Sequence, residues 1–377
     1  MKTNQIISQM INWINIDRTY DLLQSIADTP GPSQVAAWTR GSVIEDFLKE
    51  HDLLDKSDIK WDRNYKNTGN GLLRQGNPNK KNVWLFAHWD TISYLIGEKS
   101  SKGYNIIPYY HHLMEEEARD GLCLGFDLES KQYKIICRGK VIGGDNPKFI
   151  PDGDNKLESG YRVVFDTPIH EIDKDGYYAG QFDDAAGCTA ILLAATYLST
   201  FSDINLITCF TDEEEGPVCK GNTAFSRGSS RILPDFSAPD LAIVSDMHSM
   251  SSKEIASDYL GKGALLTEYA SNTKGAVTPP WLFSSIKHIV KSLNPEIKAI
   301  ISPSYASRSD CVNVYRKTPN VVLAGVASYN RHYSNGIPVC SIYDVMNLAR
   351  TISVIILKYF KDEQLFDANL SYQNQLK

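Results

Sequence analysis

The sequence predicts an α/β protein, a largely parallel sheet flanked by helices on both faces, with a small β-rich domain inserted into it. Three observations predict this. Short continuous apolar runs such as "VWLFA" (83–87) and "INLITCF" (204–210) read as strands buried on both faces. Amphipathic stretches of 12 to 20 residues alternate with them, the pattern of crossover units. Between 93 and 177 that alternation stops, and short apolar pieces cut by Gly, Asp, Asn and Pro replace it.

The elements follow in chain order. Ile6, Ile7, Met10, Ile11 and Ile14 recur at helical spacing, so residues 4–27 are expected to be helix up to the turn signal "TPGPS". A second amphipathic helix is expected over 35–50, then the strand "VWLFA". The stretch 93–177 is taken as the inserted domain, with 1–92 and 178–377 forming the main one. Within it, "YYHHLMEEEARD", with His111 and His112, reads as a surface helix, and "PDGDN" as a turn. From about 180 the alternation returns: "CTAILLAATYLST" as helix, "INLITCF" and "DLAIVS" as strands, and "PPWLFSSIKHIVKSL" as a helix opened by proline. "IKAIIS" and "NVVLAGVA" are expected strands, and Ile342–Phe360 a closing helix.

Bulk properties narrow the function. The chain has 377 residues and a net charge of -6, which argues against nucleic acid as a main partner. No apolar run reaches the roughly 18 residues of a membrane span, and the amino-terminal stretch is not a secretion signal. Seven dispersed cysteines without a C-x-x-C pair read as reduced thiols of a cytoplasmic protein and exclude a thiolate zinc finger.

The chemistry falls at strand ends, where ligands bind in an open α/β sheet. His88 and Asp90 follow "VWLFA" in "HWDT", and Asp183 and Asp184 precede a helix in "FDDAAG". Glu213 and Glu214 follow "INLITCF" in "TDEEEG", Asp246 follows "DLAIVS", and His332 follows "NVVLAGVA". Each alone has a plain structural reading: a core histidine, an N-cap, a solvated turn. Together they would crowd carboxylates and imidazoles on one point, which is costly unless a cation is present. Two divalent ions sharing one Asp resolve that cost; zinc suits an N/O ligand set, and cobalt or manganese also fit it. Asp90, two residues after His88 on one side of a strand, can orient its ring. One glutamate of the adjacent pair can ligate metal while its neighbour serves as general base. Asp212 and Glu215 are expected to be solvated.

The ordered set "HWD", "DDAAG", "EEEG", Asp246 and His332 resembles the superfamily of co-catalytic zinc aminopeptidases and carboxypeptidases. With its surplus between "HWD" and "DDAAG", the chain is similar to the glutamyl-aminopeptidase and deblocking-aminopeptidase family, whose members often assemble into tetrahedral shells. That resemblance implies Asp183 bridging two metal ions, His88 and Asp246 completing one, and Glu214 and His332 the other. It implies Glu213 as general base, Asp90 as orienter of His88, and a cis peptide between Asp183 and Asp184. His248 is the alternative to His332. The expected activity is removal of amino-terminal residues from peptides by a homo-oligomer. The alternatives are a carboxypeptidase or N-acyl amino acid deacylase, or an inactive metal-binding relative serving as an assembly module.

Overall fold

A computed structural model describes residues 3–109, 117–173, 176–216, 226–250, 253–302, 309–334 and 336–366. Its large sheet has a parallel centre. Asn205–Thr211, Val83–His88, Leu241–Met250 and Val321–Tyr329 lie side by side in that order, each parallel to its neighbours. The margins are antiparallel: Gly71–Gly76 and Ile59–Asp62 extend one side, and Val339–Ser341, Tyr177–Ala179 and His170–Glu171 the other. Ala264–Thr267 also pairs antiparallel with Val321–Tyr329.

Successive side chains of a strand point to opposite faces. Val83, Leu85 and Ala87 therefore enter one core, with Leu241 and Ile243, while Trp84 and Phe86 enter the other, with Ala242 and Val244. The first core is closed by Ile16–Ala27, Ala185–Leu198 and Ile342–Lys361. Every residue of Ala185–Leu198 is buried, so this helix is apolar all round instead of amphipathic. The second core is closed by Arg227–Ile232 and Cys311–Lys317.

Six strands between Tyr94 and Phe165 close into a barrel packed around Tyr94, Tyr104, Phe149 and Val163. The strands at 170–171 and 177–179 belong to the large sheet instead, so the barrel's strands end well before 177. His111 and His112, expected on a surface helix, lie outside the described residues.

The amino-terminal stretch is two helices, Thr3–Trp13 and Ile16–Ala27, not one. Asn15 divides them: its backbone is extended, and its side chain accepts from Arg18 N at 2.9 Å, capping the second helix. Among the described residues, no helix is long and apolar enough to cross a membrane. Six described cysteines are all buried and none is in a disulfide.

Candidate active site

Five segments converge at the carboxyl edge of the parallel strands. Val83–His88 delivers His88, and the turn after Asn205–Thr211 carries the acidic run. Asp246 lies within Leu241–Met250. Asp183 immediately precedes Asp184, which caps Ala185–Leu198 by accepting from Gly187 N at 2.9 Å; the Asp183–Asp184 peptide is cis. His332 lies in a turn after Val321–Tyr329.

His88 is buried, with Nε2 facing three carboxylates: Asp183 Oδ1 at 3.2 Å, Glu214 Oε2 at 3.7 Å and Asp246 Oδ1 at 3.9 Å. Its other nitrogen, Nδ1, lies 3.0 Å from the Asp90 carbonyl oxygen. Donating there leaves the Nε2 lone pair directed at the acids. The ring is thus held by Asp90 through its backbone, because the Asp90 carboxylate stands farther off, at 3.6 Å. That carboxylate has a different task. It accepts from Ser33 Oγ at 2.6 Å, Glu214 N at 3.1 Å and Glu215 N at 3.2 Å, pinning the acidic turn to the strand of His88.

His332 Nε2 lies 2.8 Å from Asp183 Oδ2 and 2.8 Å from Glu215 Oε1. Asp183 thus presents one oxygen to each imidazole. The acidic run divides differently from its expected pattern. Glu213 is turned away: its Oε2 accepts from Arg231 Nη2 at 2.7 Å, with Arg227 Nη1 at 3.8 Å. Glu214 faces His88, and it is Glu215 that meets His332. Neither Asp212 nor Glu215 is solvated; both are 1% exposed. Asp212 accepts from Gln34 N and from Glu213 N. The alternative ligand, His248, is buried in the strand of Asp246 and joins none of the ligand groups found among the described residues.

Arg331 was not foreseen. Its guanidinium reaches Asp183 Oδ2 at 2.5 Å and Asp246 Oδ1 at 3.4 Å, and donates to Met247 O at 3.1 Å. The turn that brings Arg331 and His332 together has left-handed backbone at Asn330, His332 and Tyr333, with φ of 58°, 56° and 59°. Tyr333 anchors it, packing its ring at a tilt against Phe165 of the barrel and donating to Thr167 Oγ1 at 3.0 Å.

These placements set the electrostatics. Burial pushes the Glu214 carboxyl well above its ordinary range despite the attraction of His88, with Asp246 and Glu215 adding repulsion. Burial likewise pushes Asp246 up to about 6. Asp183 is held well below the usual carboxylate range, because Arg331, His332 and His88 outweigh its burial. Burial would lower His332, but Glu215 and Asp183 raise it to about 9.

Among the described residues, atoms suited to a metal ion form three overlapping groups, each within 4.8 Å: His88, Asp183 and Asp246; Asp183, Glu215 and His332; and His88, Glu214 and Glu215. His88 Nε2, Asp183 Oδ1, Asp246 Oδ2 and Glu214 Oε1 are all buried and make no hydrogen bond. Buried polar atoms are normally paired. One imidazole nitrogen and three carboxylate oxygens lacking partners are the donor set of a divalent cation, so the residues fit such an ion.

The fold has many solved counterparts. A TET aminopeptidase from a marine sediment archaeon of the Thaumarchaeota is 14% identical, with a TM-score of 0.74 over 93% of this chain and 99% of its own. An aminopeptidase from Desulfurococcus kamchatkensis is 16% identical, with a TM-score of 0.69 over 93% of this chain and 98% of its own. The TET1 peptidase of Pyrococcus horikoshii, which assembles into a tetrahedron or a large octahedral shell, is 16% identical, with a TM-score of 0.66 over 90% of this chain and 99% of its own. No curated protein matches the sequence. The family model for M42 glutamyl aminopeptidases matches residues 154–350, just over half of the chain and all of the site beyond His88 and Asp90. The chain belongs to the M42 glutamyl aminopeptidase family, a family of metal-dependent peptidases.

Proposed function

We propose that this metal-dependent aminopeptidase removes amino-terminal residues from peptides with two divalent ions held at the carboxyl edge of its sheet. The observation that carries the reading is the set of buried, hydrogen-bond-free ligand atoms on His88, Asp183 and Asp246. In this reading His88, Asp183 and Asp246 hold one ion, and Asp183, Glu215 and His332 the other. Bound ions would supply Lewis acidity to a peptide carbonyl and acidify a water.

The chain's own residues supply the rest. Glu214 is the general base and then the acid. Its carboxylate faces His88 at 3.7 Å and its Oε1 makes no hydrogen bond, so it can take a proton at Oε1 and return it to the leaving amine. Asp90 positions both glutamates through their backbone amides and holds the His88 tautomer through its carbonyl. Glu213, bonded to Arg231, has a structural part. Relative to the sequence reading, ligand and base each move one residue along the run. The evidence for this shift is the direction of three side chains.

Zinc is the metal best suited to this ligand set, with cobalt and manganese next. The barrel's place between His88 and Asp183 supports an aminopeptidase over a carboxypeptidase or deacylase, whose extra domain would fall later in the chain. Dispersed thiols, unbridged among the described residues, support a cytoplasmic location. The shells formed by the Pyrococcus horikoshii TET1 peptidase support a homo-oligomer here.

The test is a panel of amino-acyl anilides and their N-acetylated counterparts, offered to metal-stripped protein and to protein resupplied with zinc, cobalt or manganese. Turnover of the free amines, restored by metal, is expected. Faster turnover of the blocked compounds would make the chain a deacylase. Metal binding without turnover of any compound would make it a binding module.

A further inference from the structure

A second cleft lies between the starts of two helices and the margin of the large sheet. Ile16–Ala27 brings Asp17, Tyr20 and Asp21 to it. The strands His170–Glu171 and Tyr177–Ala179 bring Glu171 and Tyr178, and the first turn of Ile342–Lys361 brings Tyr343. None of these six residues belongs to the proposed metal centre. The cleft holds about 260 Å³. That is below the roughly 300 Å³ at which pockets for drug-sized ligands begin, so it suits a head group and part of a chain.

Three tyrosine rings line it. Tyr20 and Tyr178 meet at a tilt, with centroids 5.4 Å apart. Tyr343 stands apart from that pair, and among the described residues its ring touches no other ring. It is 47% exposed and rests on Gly176, where an added Cβ would come within 2.4 Å of its Cε2. A larger residue at 176 would displace the ring. Burial, then Glu171, Tyr20 and Tyr343, raise the Tyr178 phenol above its ordinary range, so it stays un-ionised. The faces of such rings are electron-rich and attract a cation within about 6 Å.

The charge at the rim has the matching sign. Asp17, Asp21 and Glu171 are exposed, and among the described residues none of their carboxylates forms an ion pair. No described lysine or arginine lies over any of the three rings either. Asp17 and Asp21 are one helical turn apart, a spacing at which like charges repel. The helix starts at Ile16 and Ile342 oppose the carboxylates with about half a positive charge each, which leaves the cleft negative by about two charges.

We infer that this cleft binds an organic cation, the alkylammonium head of a lysine side chain or of a free polyamine, with tyrosine faces against the head and the three carboxylates at the rim. The rings supply attraction that water screens little, and the carboxylates supply the net charge. Nothing in it depends on the metal-ligand assignment proposed above.

The test is calorimetric titration of the zinc-saturated full chain with spermidine and, separately, with an N-acetylated, C-amidated trilysine peptide. Zinc keeps the acidic turn occupied, and the acetyl group keeps the peptide from being a substrate. Both titrations are repeated in Lys174→Ala, because Lys174 adjoins the cleft in sequence and carries the same head group. Saturable binding with a dissociation constant of about 1 mM or below is expected in at least one of the two chains. Binding of the peptide assigns the cleft to lysine side chains, and binding of spermidine alone assigns it to free polyamines. Tyr343→Ala is expected to weaken binding by about fivefold or more, and Tyr343→Phe, which keeps the ring, to stay within about twofold of the parent. Glu171→Gln, an exposed and conservative change, is expected to weaken it by about twofold or more and covers the case of a Tyr343→Ala variant that does not fold. No saturable binding of either probe to either chain would overturn the inference. So would binding that neither Tyr343→Ala nor Glu171→Gln weakens, since the cation would then sit elsewhere.

Discussion

Asp90→Asn separates two jobs that one carboxylate performs. Asp90 is fully buried and accepts from Glu214 N at 3.1 Å, Glu215 N at 3.2 Å and Ser33 Oγ at 2.6 Å. The two backbone donors approach different oxygens, and asparagine has only one. In either amide orientation, the N–H of Glu214 or of Glu215 faces an NH2 group. A buried donor without an acceptor costs about 1–3 kcal/mol, and replacing a charged acceptor by a neutral one for the other donor costs about 1 kcal/mol more. An opposing effect exists. Burial and the Asp90 charge hold the Asp212 carboxyl well above its ordinary range, and removing that charge relieves the repulsion. Net destabilisation of about 2–3 kcal/mol is therefore expected from urea unfolding of the metal-stripped chain. Because the same bonds orient Glu214 and Glu215, metal affinity should fall about 10- to 100-fold. A variant as stable as the parent, with unchanged metal affinity, would refute the reasoning: the acidic turn would then hold its shape without Asp90.

Two further predictions concern the histidine and the sheet. In the metal-free chain His332 is raised to about 9 from an ordinary 6.5, so the stability it contributes is full below about 6.5 and is lost as pH rises through about 9. A ligating His332 is neutral, so saturating both positions at pH 7.5 should release at least one proton; calorimetry in buffers of different ionisation heat should show it, and a buffer-independent heat would contradict it. Gly325→Ala places a Cβ 1.9 Å from the Asp246 carbonyl oxygen and 2.8 Å from the His248 ring, so it should cost about 3 kcal/mol in unfolding measurements, whereas a change below about 0.5 kcal/mol would contradict this strand spacing.

Most of the architecture was legible because burial on two faces leaves a plain mark. The run "VWLFA" alternates between two cores while remaining apolar throughout, and its end delivers His88. The location of the proposed site was read from strand ends and needed no side-chain geometry. What the sequence concealed are directions set by backbone. Three consecutive glutamates offer two adjacent pairs, and the family resemblance implied Glu213 as base with Glu214 as ligand. The choice turns on Glu213, whose φ of 54° is left-handed. Nothing in a glutamate announces that conformation, which favours glycine and asparagine. The turn of Arg331 and His332 was hidden in the same way, by positive φ at Asn330, His332 and Tyr333. One signal for Arg331 did exist. An arginine adjoining a candidate ligand, in a site with surplus carboxylates, is a natural internal cation.

The three glutamates provide the most direct test of the account. Glu213→Gln, Glu214→Gln and Glu215→Gln should each be measured for bound zinc at saturation and for turnover of a free-amine anilide. Glu214→Gln is expected to keep both ions and lose turnover by about 10²- to 10⁴-fold. Glu215→Gln should lose the second ion, and Glu213→Gln should keep both ions and most of the turnover. A Glu214→Gln variant within tenfold of full activity, or a Glu213→Gln variant that binds both ions but is inactive, would contradict the assignment and return the base to Glu213.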